Sequence, residues 1–258
     1  MDKSKFHLIT YNWLFLLFVF LFLLFWQNIS VWYIVVLIIA YLLILTAGSL
    51  FFRWNFYLDA VHHGSRRVKQ IALTFDDGPS DKTNAILDIL KQEKVTATFF
   101  LKGDNCTGFR KVVRRIYEEN HLLGNHSFMH NVRFTFWSKQ KVLVDLRRGA
   151  KAIEQVIGKK PLFFRPPFGV TNPEIARAVS ELRYTVVGWS VRSFDTKYKN
   201  PEKLLKRLKQ KTRAGDIVLL HDYPEVTLKI LSNYIQWLKK NDFQIVSLEK
   251  LINRKAYA

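Results

Sequence analysis

The chain has 258 residues, 49% of them hydrophobic, and 40 Lys and Arg against 21 Asp and Glu give a formal net charge of +19. That apolar fraction excludes a disordered or collagen-like chain, and the length suffices to bury a full core in one or two domains. The charge is unevenly placed: no Asp, Glu, Lys or Arg occurs from Phe6 to Phe52, so an oily N-terminal end precedes a basic body and a purely soluble globule does not fit. Cys106 is the single cysteine, which rules out an intrachain disulfide and Cys-rich zinc sites.

Two apolar runs come first, residues 8–26 and 31–52, separated by the polar turn Gln27-Asn28-Ile29-Ser30. As helices they reach about 28 Å and about 33 Å, against a bilayer core of roughly 30 Å. Trp13, Trp26, Trp32 and Trp54 lie near the four ends, where interfacial aromatics belong. Neither run has a polar face, so residues 1–52 are expected to form a membrane hairpin rather than a buried one. A cleaved signal peptide would account for Lys3, Lys5 and the first run but would leave the second as an anchor. Lys3 and Lys5 precede the first run, Arg53, Arg66, Arg67 and Lys69 follow the second, and the turn between is uncharged. The positive-inside tendency therefore puts the body on the cytoplasmic side, with the extracytoplasmic side as the alternative.

Residues 53–69 read as a linker, in which His62 and His63 are expected to be solvated. Beyond it, strand-like runs fall at Ile71–Phe75, Ala97–Leu101, Leu122–Asn125, Leu162–Arg165, Thr185–Trp189, Asp216–His221 and Phe243–Val246. Helical patterns lie between them; in Glu225–Asn241, Val226, Ile230, Tyr234 and Leu238 share one face. Alternation of this kind predicts a parallel α/β sheet, either a barrel smaller than the eightfold one or an open doubly wound sheet. The basic residues are scattered over the helical stretches, as in Lys203–Arg213, without a nucleic-acid-binding motif, so no nucleic-acid partner is expected and a surface facing anionic lipid explains the charge better.

Ionisable residues collect at or just after the C-terminal ends of these strands: Asp76 and Asp77, His126 and His130, Arg165, Asp195 and His221. Parallel α/β folds build their sites at that edge. In His126-Ser127-Phe128-Met129-His130 a helical turn would put both imidazoles on one face, where they can share a metal; a nearby carboxylate strengthens that reading. Thr74-Phe75-Asp76-Asp77-Gly78-Pro79-Ser80 supplies adjacent carboxylates on a tight turn, one able to bind metal while the other faces a bound water.

These segments, with Arg165-Pro166-Pro167-Phe168-Gly169 and Leu219-Leu220-His221-Asp222, occur in the order and spacing of the polysaccharide deacetylase family (NodB-type domain, carbohydrate esterase family 4), which the chain resembles from Lys69 to Leu251. The resemblance implies a distorted (β/α) barrel of about seven strands over residues 70–251, leaving 252–258 as a tail, and metal-dependent removal of acetyl groups from sugars. It implies Asp77, His126 and His130 as metal ligands, the metal most often being zinc. It implies Asp76 as general base, Arg165 as the group holding that base, and His221 as general acid. The Phe168 backbone N–H would meet the oxyanion, Leu219 would wall the acetyl methyl, and Trp189 would contact substrate. Two departures stand out. Phe168 replaces a frequent Tyr, and in Trp189-Ser190-Val191-Arg192-Ser193-Phe194-Asp195 the first acid of the usual motif is Arg192. A cation beside His221 would weaken it as an acid, and the orienting role would fall to Asp195 or Asp222 or be lost. The expected partners are an acetylated saccharide, in a cell-wall glycan or on a polyprenyl phosphate, and the lipid bilayer of a bacterial cell membrane; no oligomeric state is indicated. An inactive, saccharide-binding member is the alternative, against which stands the presence of every expected ligand, base and acid.

Overall fold

The computed structural model describes residues 5–27, 30 and 32–258. Asn28, Ile29 and Val31 of the expected turn and second run, Lys3 of the charge argument and the side chain of Trp26 lie outside the described residues. Two apolar helices open the chain, α1 (Lys5–Gln27) and α2 (Trp32–Leu50), packed together with Thr10 and Tyr41 joined by a 2.9 Å hydrogen bond. Both are long and apolar enough to cross a membrane. Their side chains face outward around the pair: Phe15, Phe18 and Leu43 are each about two-thirds exposed.

The body is one parallel sheet with helices on its outside. Nine strands occur among the described residues: β1 (Ala60–Val61), β2 (Gln70–Gly78), β3 (Thr98–Leu101), β4 (Leu122–Asn125), β5 (Phe163–Phe164), β6 (Thr185–Val187), β7 (Val191–Arg192), β8 (Ile217–His221) and β9 (Gln244–Ile245). Their order is β1-β6-β5-β4-β3-β2-β8-β7, with β9 beside the start of β2, and every pairing is parallel. The interleaved helices are α3 (Thr83–Gln92), α4 (Gly103–Gly108), α5 (Arg110–Glu118), α6 (Lys139–Ile157), α7 (Pro173–Glu181), α8 (Pro201–Lys211), α9 (Glu225–Lys240) and α10 (Leu248–Ile252).

The connection from β6 to β7 determines the shape. These strands stand near opposite ends of the order, yet only Gly188, Trp189 and Ser190 separate them. So short a link spans at most about 14 Å. The sheet must therefore curl until its ends approach, giving the incompletely closed barrel expected over a flat doubly wound sheet. Parallel strands buried on both faces obey the period of two. On β2, Ile71, Leu73 and Phe75 join the core under α3 and α9, while Ala72, Thr74 and Asp76 alternate with them and point into the barrel. The same rule turns Phe100 on β3 and Ile217, Leu219 and His221 on β8 inward.

Several boundaries differ from expectation for local reasons. β5 is two residues long because Pro166 and Pro167, which lack an N–H, follow Arg165 at once. β1 and β7 were too short for periodicity to reveal. The stretch read as a linker is partly structured: Ala60 and Val61 pair with Val186 and Val187, and His63 bridges to Asp216. That pairing draws His62 inward. It is buried, not solvated; its ring packs on Phe52 and its Nε2–H donates to Asn55 Oδ1 at 2.9 Å.

The hairpin is joined to this body at its open ends. Phe6 N–H donates to Phe56 O and Lys5 Nζ to Trp54 O, while Tyr57 Oη donates to Leu45 O and Thr171 N–H to Ser49 O. Gly48 permits the contact, since a Cβ there would lie 2.4 Å from the Phe56 ring.

Candidate active site

Asp76 and Asp77 are neighbours on β2, and in a regular strand they would face opposite sides. A bulge resolves this: the pairing of β2 with β3 slips between Asp76 and Gly78, and Asp77 takes φ +70°. Both carboxylates thereby reach the mouth, where a bulge commonly re-aims a side chain. Residues 126–130 form a loop, not a helical turn. Ser127 (φ +68°) and His130 (φ +47°) bend it in left-handed conformations. Asp145 on α6 fixes it by accepting the N–H groups of Phe128 and Met129, and Ser127 Oγ accepts His130 N–H. The imidazoles of His126 and His130 still come together, with ring centroids 4.8 Å apart. Left-handed non-glycine residues at Asp77, Ser127, His130 and Phe168 concentrate backbone strain around one mouth.

Donor atoms of Asp77, His126 and His130 all lie within 4.8 Å of one another. His130 Nε2 is 3.2 Å and His126 Nε2 3.7 Å from Asp77 Oδ1. His126 Nδ1–H donates to Arg165 O at 2.8 Å, which leaves Nε2 as the free lone pair. Burial pushes His130 down to about 4, so it stays neutral as a ligand must be. Burial alone would raise the Asp77 carboxyl, but His126, His130, His221 and Lys102 together hold it below the usual carboxylate range. Asp77 Oδ1 is buried without a hydrogen-bond donor, an arrangement costing on the order of 1–3 kcal/mol unless a cation satisfies it. Two imidazole nitrogens and one ionised carboxylate oxygen fit a divalent metal with open positions.

Two buried pairs flank this cluster. Asp76, 3% exposed, accepts from Arg165 Nη1 at 2.6 Å. The fully buried guanidinium is fixed by Thr74 Oγ1, Val187 O and Gly188 O and lies 4.1 Å over the Phe100 ring. Asp76 Oδ2 lies 3.9 Å from His126 Nε2. On the other side, His221 Nδ1–H donates to Asp195 Oδ1 at 2.7 Å, and His221 N–H and Thr227 Oγ1 donate to Asp195 Oδ2. Burial would lower the His221 imidazole, but Asp195, with Asp76 and Asp77, outweighs it and raises the proton affinity. His221 Nε2 then faces the cluster, 3.8 Å from Asp77 Oδ2.

Arg192 does not disturb this pair. Its exposed guanidinium lies over Trp189 and Phe194, at 5.4 and 5.1 Å. Asp195, not Asp222, orients His221; Asp222 is bound to Thr83 Oγ1, and burial raises its carboxyl to about 6. The mouth opens into a cavity of about 210 Å³ shared by Asp76, Asp77, His126, His130, Phe168, Trp189, Leu219 and His221. Arg165 and Asp195 stand behind it, so all ten residues singled out from sequence converge. Sequence reasoning missed Thr74, Thr227, Asp145 and Tyr223. Thr74 was legible as the residue two before Asp76 on the same strand face. Tyr223, whose ring meets His221 edge-on at 5.8 Å, followed from its place two after that histidine. Thr227 and Asp145 carried no local signal.

The curled parallel sheet thus places a two-His, one-Asp cluster that could hold a divalent metal between a buried Asp–Arg pair and a buried Asp–His pair. The sequence model of the family described as polysaccharide deacetylase matches residues 63–187. The chain is 36% identical over 188 residues, 72% of its length, to a peptidoglycan-N-acetylglucosamine deacetylase of Listeria monocytogenes, of which it spans 40%. It is 34% identical over 193 residues, again 72% of its length, to a peptidoglycan-N-acetylglucosamine deacetylase of Bacillus cereus, of which it covers 90%. The crystal structure of the Bc1960 peptidoglycan N-acetylglucosamine deacetylase superposes with a TM-score of 0.73 at 28% identity, over 76% of this chain and 94% of that one. The chain belongs to the polysaccharide deacetylase family.

Proposed function

We propose that this protein is a membrane-anchored, metal-dependent deacetylase that hydrolyses the acetamide of an N-acetylated sugar, in a cell-wall glycan or on a polyprenyl-linked saccharide. The observation that carries the reading is the placement of one proton acceptor and one proton donor on either side of the Asp77–His126–His130 cluster. A divalent metal, most simply zinc, would be held by those three residues and would supply Lewis-acid activation of water and of the acetyl carbonyl.

The chain's own groups account for the proton movements. Asp76, held by Arg165, takes a proton from the attacking water as the new C–O bond forms. The Phe168 backbone N–H meets the developing oxyanion. An amine anion is too poor a leaving group, so His221 gives its Nε2 proton to the sugar nitrogen as the C–N bond breaks, releasing acetate and a free amino sugar. Asp195 holds the imidazolium in place for that transfer. Leu219 and Trp189 wall the cavity beside the acetyl group and the sugar.

The outward apolar faces of α1 and α2 support a bilayer anchor, and the basic residues after α2 support a cytoplasmic body. Purified full-length protein in detergent should release acetate from N-acetylated sugars, and Asp76→Asn should lower the rate by about 100-fold or more. Chelation should abolish release and added divalent metal restore it. Metal binding without acetate release from any N-acetylated sugar would overturn the proposal.

A further inference from the structure

Beside the catalytic cavity lies a second one of about 410 Å³, on the side of the hairpin. Phe168, Gly169, Trp189 and Arg192 line both. The far wall of the second is the end of α2 and the residues just after it: Leu50, Phe51, Arg53 and Trp54. Leu50, Phe51 and Trp54 are about half exposed or more, so the groove begins on an apolar rim at the point where the chain leaves the apolar hairpin. Arg53 and Arg192 also border an adjoining hollow of about 250 Å³ with Arg207 and Lys211.

No acidic residue lines either the groove or the hollow. Among the described residues, none of these four cations is ion-paired with a carboxylate. Arg207 Nε is in addition buried without an acceptor, although its Nη2 donates to Arg192 O at 3.3 Å. Four cations without a carboxylate partner in one concavity suit an anionic phosphodiester or diphosphate, because charge-assisted hydrogen bonds there meet no competing anion. An apolar rim at the end of α2 and a group of cations beside it therefore adjoin the catalytic cavity, with Arg192 common to groove, hollow and cavity.

We propose that the substrate is an N-acetylated sugar carried on a lipid phosphate or diphosphate. Its chain lies along the Leu50–Trp54 rim, its phosphate meets Arg53, Arg192, Arg207 and Lys211, and its acetamido group reaches the cluster. This rests on the deacetylase reading above and selects the membrane-linked of its two substrate classes. A sugar without a phosphate would leave the cationic groove unused.

The test compares two probes with the full-length protein in uncharged detergent: polyprenyl-diphosphate-linked N-acetylglucosamine and the uncharged octyl glycoside of N-acetylglucosamine. The diphosphate probe should have the higher kcat/KM, by roughly tenfold or more. Arg53→Ala and Lys211→Ala, both at exposed positions, should each reduce that preference several-fold, chiefly through KM. Equal turnover of the two probes, or variants that leave the preference intact, would overturn the proposal while the deacetylase reading stands. A preference seen only when anionic phospholipid vesicles replace the detergent would also overturn it, assigning the cations to headgroups instead. Acetate release from neither probe, nor from any glycan oligomer, would remove the deacetylase reading itself.

Discussion

Asp195→Asn isolates the orienting carboxylate from the acid it serves. Asp195 is 1% exposed and accepts two hydrogen bonds from His221, through Nδ1–H and the backbone N–H, and one from Thr227. An asparagine amide cannot replace it in either orientation. With its oxygen toward Nδ1, its NH2 confronts the His221 backbone N–H. With its NH2 toward Nδ1, the ring is held in the other tautomer and the imidazolium loses its acceptor. Losing one hydrogen bond to a charged group costs about 1.5–3 kcal/mol, hence roughly 10- to 100-fold in kcat when the acid's proton transfer limits the rate. Direction in pH follows from the same pair. Asp195 raises the His221 proton affinity, so the wild-type acid stays protonated further into the alkaline range. The variant's alkaline limb should move to lower pH, with the smallest deficit at acid pH. Acetate release measured across pH, with melting temperature as a control for folding, gives both quantities. Unchanged kcat with an unmoved alkaline limb would remove Asp195 from the mechanism.

Two further expectations concern stability. Arg165→Met should destabilise the full chain by about 3–5 kcal/mol, because the buried Asp76 carboxylate loses its cation; adding Asp76→Asn should recover part of this, and a double variant no more stable than the single would refute the argument. His121 is buried, its Nδ1 accepts Ala97 N–H, its Nε2 has no partner, and burial pushes it down to about 4. Unfolded, it titrates near about 6.5. Above that pH it is neutral in both states and its contribution to stability is complete. As pH falls from about 6.5 to about 4, only the unfolded chain gains the proton, and up to about 3 kcal/mol of stability is lost. His121→Gln should therefore melt with a shallower pH dependence in that window; an identical slope would contradict it.

The residues to which we assign proton transfer were legible from one chain because strand ends mark the functional edge of a parallel sheet. Asp76, His126, Arg165 and His221 all sit at such ends, and the period of two further selects Asp76 and His221 for the interior. What could not be read is how the chain departs from regular geometry. Asp77 reaches the mouth through a bulge and a left-handed residue, and His130 through two more, where the sequence allows a helical turn. Those conformations are imposed by distant partners, Asp145 on α6 and the pairing of β2 with β3, and no local propensity encodes them. Arg192 is the sharpest case. In linear order it stood in place of an acid near the catalytic histidine, and electrostatics alone made it a threat. On β7 its side chain turns instead over the Trp189 and Phe194 rings, and Asp195, three residues on, supplies the carboxylate.

The same short connection that curls the sheet also joins its two surroundings. Residues 188–190 cross from β6 to β7, and Trp189 within them packs on Phe52, approaches the Arg165 guanidinium and lines both the catalytic cavity and the groove beyond it. Gly188 and Gly169 make room: a Cβ at Gly169 would sit 2.4 Å from the Trp189 ring, and one at Gly188 2.1 Å from the His62 ring. A longer loop would let the sheet open and would separate the end of α2 from the mouth. The stretch read as a linker therefore docks where it does for a physical reason: β1 adds to β6 beside the connection, and that pairing fixes the hairpin's exit close to the mouth of the barrel.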